Sequence, residues 1–215
     1  MAAGPAGIGY PQSPEGGQVF SGALGALGGV ARNVDRAFAA HLQYSATEAA
    51  LGGTTSVHAA VSDNGNQQTI TTGFTAPSCP RNITATVAAS TAAHVKAVAV
   101  TVFGTNDAGD PIQETLPVFT DDTPGTVVGN KAFKTVTSWV LPAMDGATAN
   151  TSLGVGSKLG IPHKLPHNTF LLAFLANVKE GTAPTVAISA TILENNTFIL
   201  NSALNGTVVD LYYYA

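Results

Sequence analysis

Charge is scarce in this chain. Asp, Glu, Lys and Arg supply 10% of its 215 residues, against about a quarter in an average soluble domain. Net charge keeps proteins soluble and apart, so a sparsely charged exterior suits a surface that neighbours cover. The formal net charge is −4 and no run of Lys or Arg occurs. Nucleic-acid binding needs a clustered basic footprint to displace counterions, which excludes that class of partner. No stretch approaches the roughly eighteen uninterrupted apolar residues of a membrane span. The N-terminus lacks the positive region and compact apolar core of a secretory signal. The single cysteine, Cys79, excludes an internal disulfide framework. Aromatic residues make up only 7%.

Gly, Ala, Val and Thr are abundant instead, and small and β-branched residues suit pleated strands joined by tight turns. The first thirty residues are mostly Gly, Ala, Pro and Ser, with Glu15 their one charge. Their large apolar residues, Ile8, Tyr10, Val19, Phe20, Leu24 and Leu27, are too widely spread to make a core. The composition predicts an extended arm whose scattered apolar side chains anchor it on a neighbouring subunit. Next, Val34, Phe38 and Leu42 fall at i, i+4 and i+8, which predicts one short helix within 31–44. These apolar positions join the arm's anchors as candidate assembly contacts.

From residue 45 the pattern is β. Segments 54–61 and 67–72 flank Asn64-Gly65, a hairpin signal. Residues 81–87 alternate, with Ile83, Ala85 and Val87 inward and Asn82, Thr84 and Thr86 outward. Further strands are predicted over 95–103, 112–119, 135–141, 169–178, 184–193, 195–200 and 207–214, with Trp139 in the third of these. Turn chemistry separates them at 105–110 and 121–125. Strands spaced eight to fifteen residues apart describe an all-β fold, a β-sandwich or jelly roll. The expected division is 1–44, an extended arm plus short helix, and 45–215, the β domain, which could comprise two small β subdomains. Tyr212, Tyr213 and Tyr214 cannot all face one side of a strand; Tyr213 is the candidate assembly contact among them.

No pattern for catalysis, cofactor binding or metal binding emerges. His163 and His167 have i, i+4 spacing, but Pro162 and Pro166 oppose a helix there. Asp107, Asp110, Asp121 and Asp122 could serve calcium, yet Asp is also a standard turn residue and no EF-hand pattern surrounds them. Segment 154–160, Gly-Val-Gly-Ser-Lys-Leu-Gly, matches neither phosphate-binding glycine motif and reads as a turn. Glu114, Glu180 and Glu194 lie far apart in sequence. Sequons at Asn82, Asn150, Asn195 and Asn205 are ordinary for a chain rich in Asn and Thr.

Several phrases carry a family likeness. Pro80-Arg-Asn-Ile-Thr84, then Val102-Phe-Gly-Thr-Asn-Asp-Ala-Gly109 leading to Glu114-Thr-Leu116, resembles a segment of tailed-bacteriophage virion proteins. So do Gly129-Asn-Lys-Ala-Phe-Lys-Thr-Val-Thr137 and Gly156-Ser-Lys-Leu-Gly-Ile-Pro162. The stretch from Glu180-Gly-Thr-Ala-Pro-Thr185 through Asn201-Ser-Ala-Leu-Asn-Gly206 to the tyrosines fits the same pattern. The resemblance spans residues 45–215. It implies a non-enzymatic structural protein at the capsid surface of the virion, a decoration or cement protein that stabilises the major capsid protein lattice. Its implied partners are that capsid protein and further copies of itself, as a homotrimer or other homo-oligomer. A tail, collar or host-binding fibre protein is the alternative, and a carbohydrate-binding sandwich module a weaker one.

Overall fold

Alternation rather than helical spacing governs residues 38–215, the part of the chain that the computed structural model describes. Its strands are β1 (Ala39–Tyr44), β2 (His58–Ser62), β3 (Gln68–Ile70), β4 (Arg81–Ala89) and β5 (Thr101–Thr105). They continue as β6 (Pro111–Thr115), β7 (Gly125–Phe133), β8 (Thr135–Leu141), β9 (Ala149–Gly160) and β10 (Phe170–Leu175). The last four are β11 (Val178–Lys179), β12 (Thr185–Ala187), β13 (Thr197–Ile199) and β14 (Val209–Tyr214). Among these residues, helix is confined to two 3₁₀ turns, Ala92–His94 and Leu193–Asn195.

The strands form three sheets. The first has the order β1-β14-β10-β11, the second β12-β13-β9-β4-β7 with β2 also on β9, and the third β3-β8-β5-β6. The second sheet serves two cores. Ile83, Ala85 and Val87 of β4 and Leu153 of β9 meet Val102, Trp139 and Leu141 of the third sheet. Leu159 of β9 and Phe198 of β13 meet Tyr44, Ala173, Leu211 and Tyr213 of the first. Twelve-residue β9 therefore belongs to both. Each fully buried large side chain contributes about 1.5–3 kcal/mol through lost water contact. The all-β sandwich expected from the sequence is the fold observed.

Four local expectations need correction. Residues 39–44 are strand, not helix, with Ala40, Leu42 and Tyr44 turned toward the second core. A spacing of four fits both a helical and a two-residue period, so Phe38 and Leu42 could not tell them apart; Tyr44 continues the even positions. The β body accordingly begins before residue 45. The Asn64-Gly65 pair does turn the chain, with Gly65 at φ 77°. It makes no hairpin, because β2 pairs with β9 and β3 with β8. Buried Asp63 fixes this corner by accepting the Gly65 N–H at 3.0 Å and the Met144 N–H at 2.9 Å.

The third correction concerns residues 154–160, which are strand rather than turn, and the fourth the strand over 125–133, where none is expected from the sequence. Glycines inside a strand mark close approach of another chain segment. A Cβ on Gly154 would stand 2.0 Å from the Gly53 carbonyl oxygen, and one on Gly52 would stand 1.9 Å from that of Val155. The β4 alternation holds, yet outward Asn82 is buried as well. Its amide donates to the Gly129 carbonyl at 2.9 Å and accepts from the Lys158 N–H at 3.0 Å. These bonds lie where β4 shifts register against both β7 and β9, so the side chain serves backbone groups that the irregularity leaves unpaired. Glycosylation of the folded protein at Asn82 is thereby excluded.

Candidate functional site

Parity along three strands assembles one surface. On β14, Val209, Leu211 and Tyr213 turn into the core, which leaves Asp210, Tyr212 and Tyr214 on the outer face of the first sheet. The register pairs Leu172 with Tyr212 and Phe174 with Asp210, so both β10 residues share that face. On β1, His41 and Gln43 alternate with the core residues and join them.

The side chains there are ordered by one another. His41 Nε2 lies 2.7 Å from Asp210 Oδ1, and Gln43 Nε2 donates to the same oxygen at 2.9 Å. Asp210 is buried although it lies on the outer face, because these two residues cover it. Pairing and hydrogen bonding are what make a covered carboxylate tolerable. The His41 ring stacks on Tyr212 at 4.4 Å between centroids and 3° between planes. Phe174 meets Tyr212 edge-on at 5.9 Å. Leu171, Leu172 and Tyr214 are 38%, 38% and 43% exposed.

The margin of this face is incompletely paired. β11 meets β10 only at Phe174 and Leu175, and the Glu180 N–H then donates to the Ala173 carbonyl at 2.9 Å. Beside residues 170–173 a cavity of about 220 Å³ opens toward the segment 179–183. The edge of the second sheet is treated differently. Glu114 accepts the Asn130 N–H at 2.6 Å and the Lys131 N–H at 3.2 Å, so a carboxylate satisfies backbone donors of β7 where that strand loses register with β4.

Tyr213, the assembly contact expected from the sequence, is 1% exposed and belongs to the core. Its hydroxyl lies 2.6 Å from His163 Nδ1, and burial pushes its pKa up to about 12. Leu42 likewise packs against its own core, whereas Phe38 is 70% exposed. Ile8, Tyr10, Val19, Phe20, Leu24, Leu27 and Val34 lie outside the described residues. No motif in the sequence marks His41, Asp210, Tyr212 or Phe174. The signal was present in the apolar parity of Val209 and Leu211, which puts Tyr213 inside and Tyr212 outside.

Most of the carboxylates considered for chemistry have structural partners. Glu180 accepts the Ser202 N–H at 2.9 Å, and Glu194 faces Lys131 Nζ at 3.4 Å and Asn106 Nδ2 at 3.3 Å. Asp121 accepts the Ala97 N–H at 3.0 Å, and Asp107 faces Lys134 at 3.8 Å. Among the described residues no three His, Cys, Asp or Glu side chains converge as a metal site would require. No described helix is long and apolar enough to cross a membrane.

Cys79 is fully buried, and burial pushes its thiol up to about 12. The thiolate is the reactive form, so a thiol reagent at pH 8 should label Cys79 only after unfolding; rapid labelling of the native protein would contradict this burial. An unfolded thiol ionises at about pH 8.5 while the folded one stays protonated, so stability falls by about 1.4 kcal/mol per pH unit from there toward about 12.

Fold and surface together define an all-β sandwich protein with an aromatic outer sheet face. No known protein family, curated protein or solved structure matches this chain.

Proposed function

We propose that this chain is a non-enzymatic structural subunit of a bacteriophage particle, a decoration or cement protein that binds the major capsid protein lattice through the outer face of its first sheet. The observation that carries the reading is the concentration of Leu172, Phe174, Tyr212 and Tyr214 on one face of a protein with so little charge. Aromatic residues held rigidly on a sheet anchor interfaces at low cost in side-chain entropy. A clamp between shell subunits gains about 25 cal/mol per Å² of apolar area removed from water, and a lattice repeats that gain at every copy. Homo-oligomers and the segment 1–37 extend the same contacts to neighbours in this reading.

Co-sedimentation of the purified chain with shells lacking it tests the proposal. Saturable binding at a fixed number of copies per shell is expected. Deleting residues 1–30 should weaken that binding while the thermal unfolding of the β body stays unchanged. Shells that remain bare, with the protein bound to tails or host cells instead, would move the role away from the capsid.

A further inference from the structure

Arg81 begins β4 and is 1% exposed, so its charge lies in the interior. Its Nε and Nη2 donate to the Gly156 carbonyl, and its Nη1 donates to the carbonyls of Glu48 and Ala50. A guanidinium carries five N–H groups. These four bonds leave one Nη2 hydrogen without an acceptor. Carbonyl dipoles carry no net charge, and among the described residues no carboxylate forms an ion pair with Arg81. A buried cation is unfavourable until a counter-charge joins it, and burial draws the Arg81 pKa below its ordinary value.

Arg81 also lines a cavity of about 210 Å³. Leu51, Pro77 and Val155 give that cavity an aliphatic wall, Thr75 and Ser78 bring hydroxyls, the Ser56 hydroxyl is taken by the Gly53 carbonyl at 2.9 Å, and none of the lining residues is acidic. One spare guanidinium hydrogen, two hydroxyls and an apolar wall suit a singly charged anion with a hydrocarbon body. A phosphate dianion would need more donors than these. We infer that this cavity is a binding site for an aliphatic carboxylate, which pairs with Arg81 and packs its carbon chain on Pro77 and Val155. A small free acid and an acidic side chain of another copy offer the same chemistry.

Sodium propionate titrated into the full chain at constant ionic strength, followed by amide NMR, tests the site. Saturable shifts of the Thr75, Ala76 and Ser78 amides are expected, with a dissociation constant on the order of millimolar; the neutral isostere propionamide should leave them in place. Arg81→Gln should abolish the response, and because that variant risks the fold, Leu51→Asp provides a second arm. Leu51 is 73% exposed at the rim, and a like charge there should weaken propionate binding roughly fivefold. Shifts that propionamide reproduces, shifts that grow without saturating, or an unchanged affinity in Leu51→Asp would overturn the assignment. Sedimentation velocity in the same titration separates the sources. Propionate that dissociates an oligomer identifies the carboxylate as another copy's, and an unchanged mass identifies a free acid.

Discussion

Gly154→Ala should destabilise the protein by about 4 kcal/mol or more, or leave it insoluble, although the substitution adds one methyl group. The added Cβ would stand 2.0 Å from the Gly53 carbonyl oxygen and 2.8 Å from Thr54 Cα. Both are backbone atoms, so no side chain can swing away. The segment over Gly154 is held on both sides: Val57 N–H donates to the Leu153 carbonyl at 3.0 Å, and Ser152 Oγ donates to the Thr54 carbonyl at 2.9 Å. Relief would require lifting residues 52–57 off β9 and exposing Val57, which is 1% exposed. Gly65→Ala makes a useful comparison, since nothing lies within 4 Å of its Cβ position and only its φ of 77° opposes the change. Its effect should be about 1 kcal/mol. Chemical denaturation measures both; a Gly154→Ala midpoint close to that of Gly65→Ala would refute the close backbone approach.

The second large effect concerns assembly rather than folding. Tyr212→Ala should weaken binding to the shell by about 2–4 kcal/mol, or roughly 30- to 1,000-fold, as truncation of a central aromatic anchor does. Tyr212 touches both His41 and Phe174, so its loss removes one ring and frees two others. Stability of the isolated chain should fall by only about 1 kcal/mol, because the ring lies on the outer face and its partners there are single aromatic contacts. Tyr213→Phe reverses the comparison. Removing the hydroxyl that meets His163 should alter stability and leave shell binding unaffected. Equal binding by wild type and Tyr212→Ala in co-sedimentation would show that this sheet face is not the docking surface.

Much of the fold is legible in the sequence because alternation is strong where one face is buried. Residues 135–141 are strand over the whole expected range, and 81–87 turn Ile83, Ala85 and Val87 inward as their spacing implies. Legibility fails where tertiary contact overrides local chemistry. The glycines of β9 look like turn residues locally; only the segment crossing above Gly154, the Asn82 side chain against Gly156 and Pro80 with Ala132 against Gly160 explain their lack of a Cβ. The 58–70 region carries hairpin grammar, yet Asp63 ties its corner to Met144, eighty-one positions away, and sends its strands to different sheets. Apolar spacing of four at Phe38 and Leu42 was ambiguous in principle. The outer face of the first sheet was partly readable from β14, but its other half comes from His41, some 169 positions earlier, and no local pattern connects the two.

In the proposed role this chain covers a capsid lattice with the outer face of its first sheet. Electron-microscopic reconstruction of shells incubated with the purified protein tests it most directly. Density is expected at symmetry-related positions on the shell, with β1, β14 and β10 turned toward the capsid surface and Tyr212 inside the contact. Shells that stay bare, or decorated shells on which that face points to solvent, would contradict it.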